Sequence, residues 1–413
     1  MRGNRTSGSV RGSRQAFHAH KYSERSVETV YSTKNMRILI IMGGFFPGKK
    51  FGGPPVSIDN FCSLMKEHDV YIVTVDHDLF ETVSYSDIKS GWNKWNNCQV
   101  LYLPENEYNK SSFEKAINDI QPDILYLQGL FQKCVFPCLQ LSGEKKTQVL
   151  LAPRGELCGG ALNINKWKKL PYIKVLKMLG LVKNIHWQST SDEETDAIKR
   201  LMGVNDGHIH RLDNVPSIPK REYPRRDKIS GEGRFVFLSR IHPKKNLLSA
   251  IKYFKNIDGH AWFDIYGPIE DEEYWKKCQY EISVLSENVT VEYRGLVDHD
   301  RVHEVFSQYD AFLFPTFSEN YGHVIAESLI VGTPVIISDQ TPWRELEKAG
   351  AGWDIDLNKP KEFINAIKLI ISFDKEQMSV QRIRTKEYIE SILDIRTIHE
   401  KYEKVLREVF SSK

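Results

Sequence analysis

The stretch Phe314 to Ser338, FPTFSENYGHVIAESLIVGTPVIIS, holds the densest chemistry in this chain. It reads as strand, short loop, helix, glycine stop and strand. Gly322 falls where the helix begins, and a residue without a side chain there lets a diphosphate approach free backbone N–H groups at the positive helix end. Glu319 precedes the helix and Glu327 lies within it. A carboxylate suits a vicinal diol because it accepts two hydrogen bonds. Glu319 is therefore placed for sugar hydroxyls beside the phosphates, and Glu327, over a turn further in, for a ribose. Two glutamates at this spacing are ordinary helix residues by themselves; the strand, glycine and helix around them give the pair its meaning. A second element, SRIHPKKN, sets Arg240 and Lys245 just beyond the first strand of a new unit. There an Arg grips phosphate bidentately and a Lys adds a compact charge, enough to steady a departing nucleoside diphosphate. Lys244 is expected only to cap a helix start.

These groups need a scaffold that presents strand ends. From Met36 onward, β-rich runs alternate with helix-length amphipathic stretches, the signature of parallel sheets with crossover helices, and they do so twice. Strands are expected at 37–42, 70–75, 100–103, 124–127 and 149–152, with helices near 56–67 and 113–119. A second series follows at 235–239, 262–266, 289–293, 311–314 and 335–338, and long helices at 376–410 close the structure. The Pro- and Gly-rich, charged stretch 216–234 reads as the connection between two domains. The division is then a disordered leader at 1–35, a first Rossmann-like domain at 36–215, the linker, a second at 235–385, and a C-terminal helix at 386–413.

Composition narrows the classes. The formal charge of +3 comes from residues 1–35, which hold seven Lys or Arg against two Glu; the remainder has 50 basic and 52 acidic residues. A nearly neutral body argues against a general nucleic-acid binder, which needs a basic face to meet phosphates. No segment has the uninterrupted apolar length to span a bilayer. The six cysteines are scattered, and Cys134 with Cys138 lack a second pair to complete a zinc site, so reduced thiols in a cytoplasmic setting are expected. Between Leu157 and Thr190 lie six lysines and no Asp or Glu. Lys166, Trp167, Lys168 and Lys169, followed by Tyr172, Ile173 and Leu176, combine groups suited to an anionic lipid surface, or to a cationic collar for an anionic acceptor.

Arg240 with Lys245, Glu319 with Glu327, and Gly332-Thr333-Pro334 resemble the donor-site pattern of glycosyltransferase family 4, over essentially the whole chain from Met36. Ala152-Pro153-Arg154-Gly155, Ser189-Thr190-Ser191 with Glu194, and Thr341-Pro342-Trp343 resemble members that assemble capsule, exopolysaccharide or O-antigen. The resemblance implies an α/β fold of the GT-B type, two Rossmann-like domains facing each other across a cleft. It also implies retention of anomeric configuration, a nucleotide-sugar donor in the second domain, an acceptor in the first, and neither a cofactor nor an obligatory metal. The acceptor would be a polyprenyl-diphosphate-linked glycan or a polysaccharide, met at the cytoplasmic face of a membrane.

On that likeness Arg240, Lys245 and Glu319 are the catalytic candidates. Gly52, Gly53, Asn320, Tyr321, Gly322, His323 and Glu327 are expected to bind donor, the glycine pair as a turn that approaches the phosphates from across the cleft. Many relatives carry a histidine after the strand at 124–127, where Gln128 stands here; glutamine still hydrogen-bonds a sugar but cannot take a proton. Gln128 and Arg154 are the acceptor-side candidates, with pairing to Glu156 as the structural alternative for Arg154. An epimerase of the same architecture and a non-catalytic nucleotide-sugar binder compete with this reading. A dinucleotide oxidoreductase does not fit, because the first strand leads into Gly43-Gly44-Phe45-Phe46, where bulky rings occupy a turn the dinucleotide fingerprint keeps small.

Overall fold

Ile38 to Ile41 are fully buried, and the same holds for Ile124 to Leu127, Phe235 to Phe237 and Phe312 to Phe314. Continuous apolar runs without alternation are what strands need when helices cover both faces of a parallel sheet. The computed structural model describes residues 35–219 and 221–412. Residues 1–34 of the expected leader lie outside the described residues, while Asn35 exchanges two hydrogen bonds with Asp69, at 3.0 and 3.1 Å.

The first sheet has eight strands: β1 (Arg37–Ile41), β2 (Asp69–Val75), β3 (Trp92–Trp95), β4 (Cys98–Leu103), β5 (Ile124–Gln128), β6 (Gln148–Ala152), β7 (His186–Ser189) and β8 (Ile209–Arg211). Their order is β3-β4-β2-β1-β5-β6-β7-β8, parallel except for the β3–β4 pair. The second sheet contains β9 (Glu232–Leu238), β10 (His260–Tyr266), β11 (Val289–Gly295), β12 (Ala311–Phe314), β13 (Val335–Ser338) and β14 (Gly352–Ile355). Its order, β11-β10-β9-β12-β13-β14, is parallel throughout. In each sheet the chain reverses its direction of travel beside the first strand, opening a crevice at the carboxyl ends where such sheets bind ligands. In the second sheet this crevice lies between β9 and β12, the two strands that lead into the Arg240–Lys245 and Glu319–Glu327 segments.

The connection between domains is shorter than its composition suggests, since β9 already begins at Glu232. Arg225 donates to the carbonyls of Val331 and Gly332, and Lys228 to those of Ile229, Glu232 and Ile371, so this stretch is tied to the second domain. The closing helices also divide differently from the expected boundary at 386, which falls inside the helix Lys375–Ile392. That helix buries Met378 and Ile389 in the second core. Asp394 then caps a new helix, Ile395–Ser411, whose stripe of Ile398, Tyr402, Val405, Leu406 and Val409 packs into the first core. This last helix thus returns to the first domain.

Candidate functional site

Beyond β9 the chain makes a short turn at Pro243–Lys245, and beyond β12 it runs through Pro315 to Glu319. Backbone bonds stitch the two segments together. The Lys244 carbonyl accepts from Phe317 N at 2.9 Å and from Thr316 Oγ1 at 3.2 Å, and Asn246 Nδ2 donates to Pro315 O at 2.9 Å. Lys244 thus contributes its main chain, while the side chain of Lys245 turns inward and pairs with Glu319. Burial pulls the Lys245 pKa down, and the Glu319 carboxylate works against that pull. Arg240 stands nearby, in an ion pair with Glu270 at 2.5 Å.

Gly322 caps the helix His323–Ile330 at φ 77°, with no side chain satisfying the first N–H groups. The glycine pair in the first domain does the same: Gly52, at φ 75°, precedes the helix Gly53–Leu64, again with no side-chain cap. The two helix starts meet across the cleft. Ser57 Oγ lies 2.7 Å from His323 Nε2, and a methyl group on Gly53 would come within 3.5 Å of the His323 ring. Each uncapped N-terminus carries partial positive charge, so their meeting point favours an anion. His323 adds no charge of its own there, since burial first and the Arg154 charge second push its pKa down to about 3.

Glu327 is 2% exposed, its Oε1 has no hydrogen-bond partner, and burial pushes its pKa up to about 8. The nearest cationic candidate, His299 Nδ1, is 3.9 Å away. Tyr321 OH, His323 Nδ1 and Gln128 Nε2 are likewise buried without partners. Unmet polar atoms are costly, and four of them fall among the residues expected to touch substrate.

The acceptor-side pair is also assembled, but not as its structural alternative supposed. Arg154 does not bond Glu156. Its Nε donates to Gln128 Oε1 at 2.8 Å, and its two terminal nitrogens reach Asn214 Oδ1 at 2.5 Å and Tyr126 OH at 3.4 Å. Glu156 instead accepts from the backbone N–H groups of Leu130 and Phe131 at 2.6 and 3.1 Å. The reason is the backbone: Arg154 and Gly155 are both left-handed, at φ 56° and 78°, which sends successive side chains apart. Lysine offers one point charge where this fork serves three acceptors, so Arg154→Lys is expected to cost about 1–2 kcal/mol, read as a lower midpoint in a thermal or urea melt. An unchanged midpoint would show that the three contacts are not held in solution.

Other neighbours complete the surroundings, of which Ser57 and His299 gave no sequence signal while Thr190 and Phe46 lie in segments noted there. Ser57 is a helix serine, Thr190 Oγ1 accepts from Asn320 Nδ2 across the cleft at 3.2 Å, and Phe46 stacks on His299 with ring centres 5.2 Å apart. Lys49 pairs with Asp298 at 2.5 Å beside that stack. Glu194, part of the motif noted in the sequence, is fully buried and accepts from Gly155 N and from Thr190, organising the loops rather than facing the cleft.

The basic segment corrects one expectation. Ile173 and Leu176 in the helix Lys166–Met178 are buried in the first core, so they cannot face a lipid. The exposed apolar residues there are Ile164, Trp167, Leu170, Val175, Met178 and Leu179, interleaved with lysines. Among the described residues no helix is long and apolar enough to cross a membrane.

Two parallel Rossmann-like domains meeting at a cleft that gathers cations, glycine-led helix starts and a buried carboxylate define the GT-B fold. Residues 220–387 match the family described as Glycosyl transferases group 1. Over 236 residues the chain is 25% identical to an uncharacterized 41.2 kDa protein of the cps region of Klebsiella pneumoniae; the match covers 52% of this chain and 60% of that protein, under two thirds of its length. Among solved structures, Anabaena HepE in complex with UDP-glucose superposes with a TM-score of 0.66 at 13% identity, covering 90% of this chain and all of that one. WaaG, a glycosyltransferase involved in lipopolysaccharide biosynthesis, gives 0.64 at 12% identity, covering 89% and 99%. At such identities the likeness to these structures speaks of fold.

Proposed function

We propose that the chain is a retaining glycosyltransferase that moves a hexose or N-acetylhexosamine from a nucleotide-diphosphate sugar to a lipid-linked or polysaccharide acceptor of the cell envelope. The observation that carries this reading is the convergence of Lys245, Glu319 and the uncapped helix start at Gly322, opposite the Gly52–Gly53 turn, with the buried carboxylate of Glu327 deeper in the same domain.

In this reading the donor diphosphate lies between the two helix starts, Glu327 accepts from the ribose diol and Glu319 from the sugar hydroxyls. The bond from the anomeric carbon to the phosphate oxygen breaks, and a bond to the acceptor oxygen forms on the same face. The acceptor proton passes to the leaving diphosphate oxygen, so no protein base is called for and glutamine at 128 is tolerable. Arg240 and Lys245 steady the charge that develops on that oxygen, a task a divalent ion performs elsewhere. Gln128, held by Arg154, keeps its free amide N–H for an oxygen of the acceptor or of the sugar. The exposed Trp167 and Met178 among lysines suit contact with the anionic cytoplasmic face of a membrane that carries a polyprenyl-diphosphate acceptor.

The test is release of nucleoside diphosphate from a panel of UDP-, GDP- and dTDP-sugars, with and without polyprenyl-diphosphate-linked sugars. Release from one donor, accelerated by acceptor, is expected. Conversion of the donor without any acceptor would favour an epimerase, and binding without turnover a non-catalytic role.

A further inference from the structure

Far from the cleft, the returning helix Ile395–Ser411 meets the turn that follows the helix Gly53–Leu64. His399 and Glu403 are four residues apart and so share one helix face. Glu67 and His68 stand opposite. His399 Nε2 is 2.5 Å from Glu67 Oε1, and His68 Nε2 is 2.6 Å from Glu403 Oε1. Glu67, His399 and Glu403 each bring a ligand atom within 4.8 Å of the others.

The buried end of this cluster is not satisfied by its own members. His68 is 5% exposed, and neither its Nε2 nor Glu403 Oε1 meets a hydrogen-bond partner in acceptable geometry, although the two atoms nearly touch. Arg407 takes the other oxygen of Glu403 at 2.8 Å, and Met36 N–H approaches His68 Nδ1 at 3.4 Å. Those contacts hold both side chains in place, with a ligand atom of Glu403 within 4.8 Å of those of Glu67 and His399. Glu403 Oε1, in ion-pair contact with His68 but without a well-formed hydrogen bond, is a position a cation can satisfy.

We propose that Glu67, His399 and Glu403 form a binding site for a divalent transition-metal ion, which clamps the C-terminal helix onto the first domain. One imidazole nitrogen and two carboxylate oxygens, with a water as fourth ligand, match the needs of zinc. Magnesium and calcium prefer all-oxygen sets of six or more ligands and are disfavoured by the imidazole. His68, tethered through Nδ1, positions Glu403 rather than ligating. Glu67 and His399 are 332 residues apart in sequence, so the ion would cross-link the last helix to the first domain. The proposal is independent of the cleft and survives any revision of the transferase reading.

The experiment is titration of the EDTA-treated, tag-free full chain with zinc chloride, with magnesium chloride as control, followed by calorimetry and thermal melting. One zinc per chain at micromolar affinity or tighter is expected, together with a rise of about 4 °C in the midpoint at a hundredfold excess over Kd. His399→Ala and Glu67→Gln are both partly exposed replacements, expected to melt like the wild type in EDTA, to weaken zinc binding at least tenfold and to abolish the shift. A separate histidine cluster, His186, His208 and His210, lies near Ser412, so His208→Ala is the control and is expected to leave zinc binding intact. Absence of saturable binding, binding indifferent to both ligand variants, or binding lost in His208→Ala instead, would overturn the proposal.

Discussion

Glu327→Gln is expected to weaken nucleoside-diphosphate binding by about 10- to 100-fold above pH 8 and to abolish its dependence on pH, the size following from loss of a charged hydrogen-bond acceptor worth about 1.5–3 kcal/mol. The sign comes from burial. In the unliganded protein Glu327 is pushed up to about 8, so below that pH it is mostly protonated. A ribose diol donates two hydrogen bonds and favours the ionised form. Binding near neutral pH must therefore expel up to one proton, and affinity should rise by up to tenfold per pH unit until about 8, then level off. Calorimetry in two buffers of different ionisation enthalpy counts that proton directly. Glutamine keeps the shape, cannot titrate, and should show neither the proton nor the slope. The same displacement predicts stability without ligand. A folded-state pKa above the ordinary 4.5 contributes stability that is fully present below 4.5 and is lost as pH rises through about 8. The wild type should thus soften over that interval relative to Glu327→Gln, which should melt higher above pH 8. Identical pH profiles for the two proteins would remove Glu327 from the ribose position.

Why Glu327 was visible in the sequence at all is a matter of locality. The strand β12, the turn through Gly322, the helix and β13 are consecutive, so one 25-residue stretch spells out the arrangement, and the strands at 311–314 and 335–338 fall where their apolar runs place them. Strands whose partners lie far away in the chain were not legible. β7 reads His-Trp-Gln-Ser, too polar to announce a buried strand, because His186 and Gln188 bond Ser412 and Tyr402 of the last helix, more than 200 residues on. That helix was expected as part of a closing helical stretch, but not which domain would receive it. Arg154 was a candidate, yet its link to Gln128 depends on β5 and β6 lying side by side with Gln128 opposite Ala152, a relation that only the sheet order supplies. Ser57 became a neighbour of His323 through the meeting of two domains. Local spacing, in short chains of consecutive elements, carried the candidate residues for phosphate and diol contacts; tertiary adjacency carried the network around them.

Lys245→Ala separates catalysis from binding at this site. The side chain is 10% exposed and its charge faces Glu319, directly beyond the two strands that flank the crevice. In water such an ammonium would do little, but a buried charge held in place costs no reorganisation when the leaving diphosphate gains its negative charge. Turnover is therefore expected to fall by about 10²- to 10³-fold, whereas donor affinity, still supported by Arg240 and two helix starts, should change only a few-fold. Removing one partner of a buried pair also strands the other, and Lys245→Ala alone should lose about 3–5 kcal/mol of stability. The double variant Lys245→Ala with Glu319→Ala removes the stranded carboxylate and should recover much of that loss. Turnover should stay low in the double variant, because the charge that served the transition state is still missing. If turnover instead returned together with stability, the pair would be a structural ion pair, and the positive charge at the leaving group would have to come from Arg240 and the helix ends alone.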